Sequence, residues 1–75
     1  MINISSNDSL YKVISEHPDI KEIMVELGFK DIVKPGMLQS MGRIMTINKG
    51  CTVKKININL AKEVFAKHNY NLMEE

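Results

Sequence analysis

One stretch decides the fold of this chain, HPDIKEIMVELGF over residues 17–29. Pro18 suits the first turn of a helix, where its missing N–H would have had no partner. Gly28 can adopt the left-handed conformation that ends a helix. Between them, apolar residues recur at spacings of three and four, the period of one helix face; they are Ile20, Ile23, Met24 and Leu27. The stretch therefore predicts a short amphipathic helix over about residues 18–27.

Amphipathic patterns on both sides predict further short helices. A first helix starts near residue 8 and must end before Pro18, because residues that precede proline avoid the α region. Later helix starts are predicted at residues that suit a helix N-terminus. They are Pro35 for a helix over about 35–44, Thr46 for a short fourth turn that ends at Gly50, and Asn57 or Asn59 for the last helix. The predicted fold is all-α, a compact orthogonal bundle of four to five short helices.

Two segments, residues 2–4 and 56–60, alternate apolar and polar residues, which is the pattern of a half-buried strand. They could pair, but an isolated two-stranded ribbon is only marginally stable in water. A helix start is therefore favoured at 56–60, with a strand as the alternative. Later core positions are predicted at Val53, Ile56, Leu60, Ala61, Val64 and Phe65. We expect one domain over 1–75, with an ordered core over about 2–72 and fraying at 73–75.

Composition restricts the class of protein. Seventy-five residues are enough for one small core. Cys51 is the single cysteine, so the chain has no internal disulfide, whereas small secreted domains usually depend on such bonds. No apolar run approaches the ~20 residues of a membrane span, and the N-terminus lacks the basic start and apolar run of a signal peptide. We therefore expect a cytoplasmic protein with no membrane partner.

Charge is unevenly distributed although the net charge is +1. Residues 1–29 carry two lysines against five carboxylates, whereas residues 30–67 carry eight cations against two carboxylates. A basic segment can attract nucleic acid. However, a recognition helix over 35–44 would offer few polar contacts for both bases and phosphates, namely Lys34, Gln39, Ser40 and Arg43. DNA binding is therefore the weakest alternative, and nucleic acid is not the expected partner.

Reactive side chains do not converge in the sequence. A metal site needs several His, Cys, Asp or Glu side chains close together, but His17, His68 and Cys51 lie on different predicted elements. Cys51 stands near lysines and could act as a nucleophile only if a neighbouring base lowered its pKa. We expect no enzymatic activity, no cofactor and no metal. A redox or metal accessory role, with Cys51 and a histidine in the site, remains the alternative.

Met37, Met41 and Met45 recur every four residues on one side of the predicted third helix. Methionine stripes fill cores or form adaptable surfaces for partners. Since no pattern indicates catalysis, the predicted function is that of a non-enzymatic accessory or interaction module. The three methionines are its candidate interaction surface, and the expected partner is another protein or domain.

Two stretches carry a resemblance to a known family, the one over 17–29 and MLQSMGRIMT, residues 37–46. This chain resembles a family of domains of unknown function numbered 1858, and the resemblance extends over about residues 2–72. The resemblance implies a compact all-α domain of the kind attached to hemerythrin-like and sensor modules. The chain is also similar to the N-terminal domain of iron–sulfur cluster repair proteins, which carry cysteines after the Leu-Gly turn. Phe29, Lys30 and Asp31 stand there in this sequence. The resemblance therefore carries no functional residue over to this chain.

Overall fold

The computed structural model describes residues 1–74. Over this range the chain forms five α-helices, one 3-10 helix and one two-stranded sheet. In chain order the elements are β1 (Ile2–Ser5), α1 (Leu10–Glu16), α2 (Ile20–Leu27), the 3-10 helix (Lys30–Val33), α3 (Met37–Ile44), α4 (Ile47–Lys54), α5 (Ile58–Lys67) and β2 (Tyr70–Met73). The prediction of several short helices is confirmed. The prediction of a purely all-α fold is wrong, because the two ends of the chain form a sheet.

The sheet joins β1 and β2 in parallel, with Ile2 opposite Tyr70 and Ser5 opposite Met73. The alternation in residues 2–4 thus marks a strand, but its partner is the C-terminal segment. The ribbon does not stand alone, because β2 packs against α5 and the side chains of Ile4 and Leu72 enter the core. That packing gives a two-stranded sheet the support that it lacks in water.

Two further expectations concern the chain after residue 55. Asn57 caps α5 through its side-chain oxygen, which accepts a hydrogen bond of 2.9 Å from the Asn59 N–H. The helix start is therefore confirmed over the strand at 56–60. Met73, where fraying is predicted to begin, pairs with Ser5 in the sheet, and Glu75 lies outside the described residues.

The core contains one cluster of buried side chains drawn from every helix except α3 and from both strands. Among its fully enclosed members are Leu10, Ile20, Ile23, Met24, Ile47 and Phe65. Val53 and Leu60 were expected in this core and are 71% and 49% exposed. In α4, Ile47 and Cys51 face inward, so the helical period turns Val53 outward. Leu60 lies at the edge of the buried stripe of α5.

Gly28 ends α2 in the left-handed conformation, at φ 110°. Its N–H donates to the Val25 carbonyl at 3.0 Å, and the Phe29 N–H donates to the Met24 carbonyl at 2.9 Å. This is the Schellman arrangement, and it turns the Phe29 ring back into the core, where it is 6% exposed. The N-terminal end differs from the prediction, since α2 begins at Ile20.

Helix α4 begins where the sequence predicts, because the Thr46 hydroxyl accepts a hydrogen bond of 3.0 Å from the Lys49 N–H. The predicted end at Gly50 is wrong, since the helix continues to Lys54. Gly50 has another role: a β-carbon added there would overlap Cε1 of the Phe29 ring and lie 3.0 Å from Cζ. The glycine is therefore a point of close approach between α4 and the turn after α2.

Lys55 ends α4 in the left-handed conformation at φ 57°, where a residue with a β-carbon loses about 1–2 kcal/mol relative to its preferred conformations. We expect Lys55→Gly to raise the free energy of unfolding by about 0.5–1 kcal/mol, less than the full relief because glycine loses more entropy on folding. Urea unfolding followed by circular dichroism measures the change. Lys49→Gly, in the interior of the same helix, is the control and should lose about 0.5–1 kcal/mol. A destabilised Lys55→Gly variant would contradict the expectation.

Candidate functional site

The three methionines proposed as an interaction surface lie on and just after α3. Gly36 precedes this helix in the left-handed conformation, at φ 80°, and turns the chain so that α3 begins at Met37 rather than at Pro35. Met37 and Met45 are half-buried, and Met41 is 43% exposed. None of the three is fully enclosed, so part of each residue remains exposed to a partner.

The methionines border a mostly apolar cleft of about 140 Å³. The cleft lies between α3, the 3-10 helix and the end of α4, and it reaches down to the core. Its lining comprises Leu10, Phe29, Asp31, Ile32, Met37, Met41, Gly42, Met45 and Lys54. The structure therefore brings all three predicted residues to one depression.

Met45 also borders a second, more open depression between α3 and α4. Two large apolar side chains there are mostly in solvent, Ile44 at 65% and Val53 at 71% exposure. The sequence predicts a core position for Val53, and apolar type and helical spacing do not mark Ile44 as a surface position either. We call the combined surface the α3–α4 face. It consists of Met37, Met41, Ile44, Met45 and Val53.

Positive charge borders the α3–α4 face. Lys54 lies beside the first depression, with its Nζ 5.9 Å from the centroid of the Phe29 ring, and Lys49 lines the second. The carboxylate of Asp31 is also in the first depression, but it pairs with the Lys34 ammonium at 3.0 Å. The hydrogen bond and charge of Lys34 lower the pKa of Asp31, with a smaller effect from Lys54. The carboxylate is therefore ionised at neutral pH and already partnered.

Two polar side chains of α3, those of Ser40 and Arg43, make contacts within the domain. Arg43 donates from Nε to the Gln39 carbonyl at 2.9 Å, and its guanidinium carbon lies 4.3 Å from the centroid of the Tyr11 ring. The Ser40 hydroxyl donates to the Gly36 carbonyl at 2.8 Å. These contacts occupy groups that a DNA-reading helix would direct at bases or phosphates.

The reactive residues singled out in the sequence lie in separate settings. Cys51 is 3% exposed within the core. The His17 ring stands edge-on to Tyr70 with 5.5 Å between centroids, and His68 Nε2 lies 3.4 Å from a carboxylate oxygen of Glu26. Among residues 1–74, no three His, Cys, Asp or Glu side chains gather as a metal site would require.

Burial raises the pKa of the Cys51 thiol. As the pH rises, the thiol therefore loses its proton in the unfolded chain before it does so in the folded chain. The free energy of unfolding should then fall from about pH 8.5, the ordinary pKa of cysteine, up to the raised pKa of the folded state. We expect the urea midpoint to decline between pH 8 and pH 10 and the Cys51→Ala variant to lose part of that slope. Tyr70, whose pKa is raised by burial and by its hydrogen bond to Asp19, contributes in both proteins at the upper end. Equal slopes in the two proteins would contradict this expectation.

No helix within residues 1–74 has the length and apolar character needed to cross a membrane. The chain has no match among curated proteins. Among solved structures it is similar to the conserved domain protein from Streptococcus pneumoniae TIGR4, with a TM-score of 0.91 and 24% sequence identity over 100% of this chain and 95% of that chain. This likeness establishes a shared fold.

A family model matches residues 4–60, from within β1 to the first turn of α5. The match includes the α2 stretch and all of α3 and α4, and it covers more than half of the chain. The chain therefore belongs to the family described as Domain of unknown function (DUF1858).

Proposed function

We propose that this domain is a non-enzymatic interaction module that binds another protein through the α3–α4 face. One observation carries the proposal: five apolar side chains surround two adjoining depressions and remain partly or mostly exposed. Exposed apolar side chains that lie together, with polar groups around them, are typical of protein interaction sites. Elsewhere on the helices, most apolar residues pack into the core, and the exposed exceptions are Val33 and Leu60.

The side chains of the α3–α4 face suit binding in both energy and shape. Full burial of a Val, Ile or Met side chain stabilises a complex by about 1.5–3 kcal/mol. Ile44 and Val53 have most of their surface left to bury, so they are the expected centres of binding energy. The flexible thioethers of Met37 and Met41 can adjust to the shape of a partner.

The two alternative functions lack an observation that favours them. A redox or metal role would use Cys51, but burial keeps its thiol protonated and away from solvent. A DNA-reading role would use the polar side chains of α3, and two of them, Ser40 and Arg43, form hydrogen bonds within the domain. We place the interaction in the cytoplasm, because the unpaired thiol of Cys51 suits a reducing compartment.

Site-specific photocrosslinking in cells tests the proposal. A photoreactive amino acid replaces Met41 or Val53, and in the control it replaces Glu63, which is exposed on α5 outside the face. We expect a discrete adduct with a second polypeptide from positions 41 and 53 and none from position 63. The proposal fails if positions 41 and 53 give no adduct, or if all three positions give the same one.

A further inference from the structure

The charge around the α3–α4 face indicates what kind of protein it binds. The segment that builds the face, residues 30–55, contains six cations and one carboxylate. Two of these cations border the depressions directly, Lys54 at the first and Lys49 at the second. The carboxylate, Asp31, already pairs with Lys34. An approaching partner therefore meets an apolar surface bordered by these two lysines, and complementary charge favours an acidic partner.

A second copy of this chain fits the face poorly. A two-fold dimer would place the same patch of both subunits together. Two basic segments would then face each other, and the like charges of Lys49 and Lys54 would repel across the interface. A two-fold dimer therefore does not supply an acidic counterpart, and we expect that counterpart on a different protein.

The shape of the face favours a helical segment. It consists of side chains from α3, α4 and the short link between them, and it offers no free strand edge to which an extended peptide could add. An amphipathic helix places apolar side chains at i, i+3 or i+4 and i+7 into a groove of this kind. Met37, Met41, Met45 and Val53 would receive that apolar stripe, and Lys49 and Lys54 would receive flanking carboxylates.

We infer that the α3–α4 face binds an acidic amphipathic helix of a partner protein. The inference rests on the proposed function and names the partner chemistry for the same site. Nucleic acid would satisfy the lysines, but its phosphate backbone would leave the methionines without apolar contacts.

Selection from a displayed peptide library tests the inference. The probes are helical peptides of about 18 residues with a constant apolar stripe, and their other positions vary among acidic, basic and neutral residues. We expect selection against the full chain to enrich peptides rich in Asp and Glu. Their affinity should fall about tenfold or more in the Lys49→Glu/Lys54→Glu variant and should weaken with added salt. Lys67→Glu, an exposed charge reversal on α5, should leave the affinity unchanged.

The other outcomes separate this inference from the proposed function. One outcome is that selection enriches neutral or basic peptides, and that these do not bind the Met41→Ser/Val53→Ser variant. This outcome would overturn the inference of an acidic partner but would support the interaction module. If no peptide is enriched, or if the enriched peptides bind both double variants as tightly as the parent, the inference of an acidic helix at this face is overturned. The photocrosslinking result then tests the proposed interaction module separately. The inference would also be overturned if the chain binds duplex DNA or phosphatidylglycerol vesicles more tightly than any selected peptide and loses that binding in the Lys49→Glu/Lys54→Glu variant.

Discussion

Replacement of Phe65 by alanine should lower the free energy of unfolding by about 3–5 kcal/mol. The Phe65 side chain is fully enclosed, and its ring lies edge-on to Tyr70 with 6.4 Å between centroids. Since β2 packs against α5, truncation removes apolar contacts and leaves a cavity beneath the sheet. Domains are stable by only about 5–15 kcal/mol, and one of this size lies near the lower limit. The variant should therefore be largely unfolded at 37 °C.

Urea unfolding monitored by circular dichroism measures this loss. Leu60→Ala is the matched control, because Leu60 is on the same helix but 49% exposed, and it should lose less than about 1 kcal/mol. If Phe65→Ala does not fold at all, Phe65→Leu keeps most of the volume and should still lose about 1 kcal/mol. A Phe65→Ala variant within about 1 kcal/mol of the parent would show that the core does not depend on this ring.

The second large effect is expected at Gly50. A β-carbon at this position would overlap the Phe29 ring, and that ring is held in the core by the turn after Gly28. Neither group can move without disturbing packed neighbours, so we expect Gly50→Val to lose about 2–3 kcal/mol. Valine is a better helix former than glycine, and this difference alone would raise the free energy of unfolding by a few tenths of a kcal/mol. The overlap with the Phe29 ring should outweigh that gain.

A double-mutant cycle assigns this loss to the contact with Phe29. The Gly50→Val and Phe29→Leu substitutions together should cost less than the sum of the single changes, by about 1 kcal/mol or more, because leucine in place of phenylalanine makes room for the new side chain. Lys49→Val, an exposed position on α4, is the control for β-branching in a helix and should stay within about 0.5 kcal/mol of the parent. Additive losses in the cycle would show that Gly50 matters for another reason.

The candidate site was only partly predictable from sequence. The four-residue spacing of Met37, Met41 and Met45 indicates that they share one side of α3, and the structure brings them to one cleft. Ile44 and Val53 complete the surface, but an apolar residue at helical spacing has the same sequence signal whether it is buried or exposed. Exposure depends on which neighbouring elements cover a helix, and that information lies in distant parts of the chain.

The ends of the helices also show which features depend on nearby residues and which depend on distant ones. The C-terminal end of α2 and the start of α5 follow from local chemistry, because the left-handed turn at Gly28 and the cap at Asn57 act within a few residues. The length of α4 could not be predicted from local chemistry, because glycine often ends a helix. The close approach of the Phe29 ring explains why Gly50 lies inside this helix instead.

By itself, the sequence determined that the chain forms several short helices, most of their buried faces and the methionine stripe, because backbone dihedral preferences, apolar periodicity and hydrogen bonds to capping residues act over a few positions. Only the tertiary structure decided the pairing of β1 with β2, whose partners are 68 residues apart, and the exposure of Ile44 and Val53. Both outcomes depend on surfaces that meet after the chain has folded, and no local pattern contains that information.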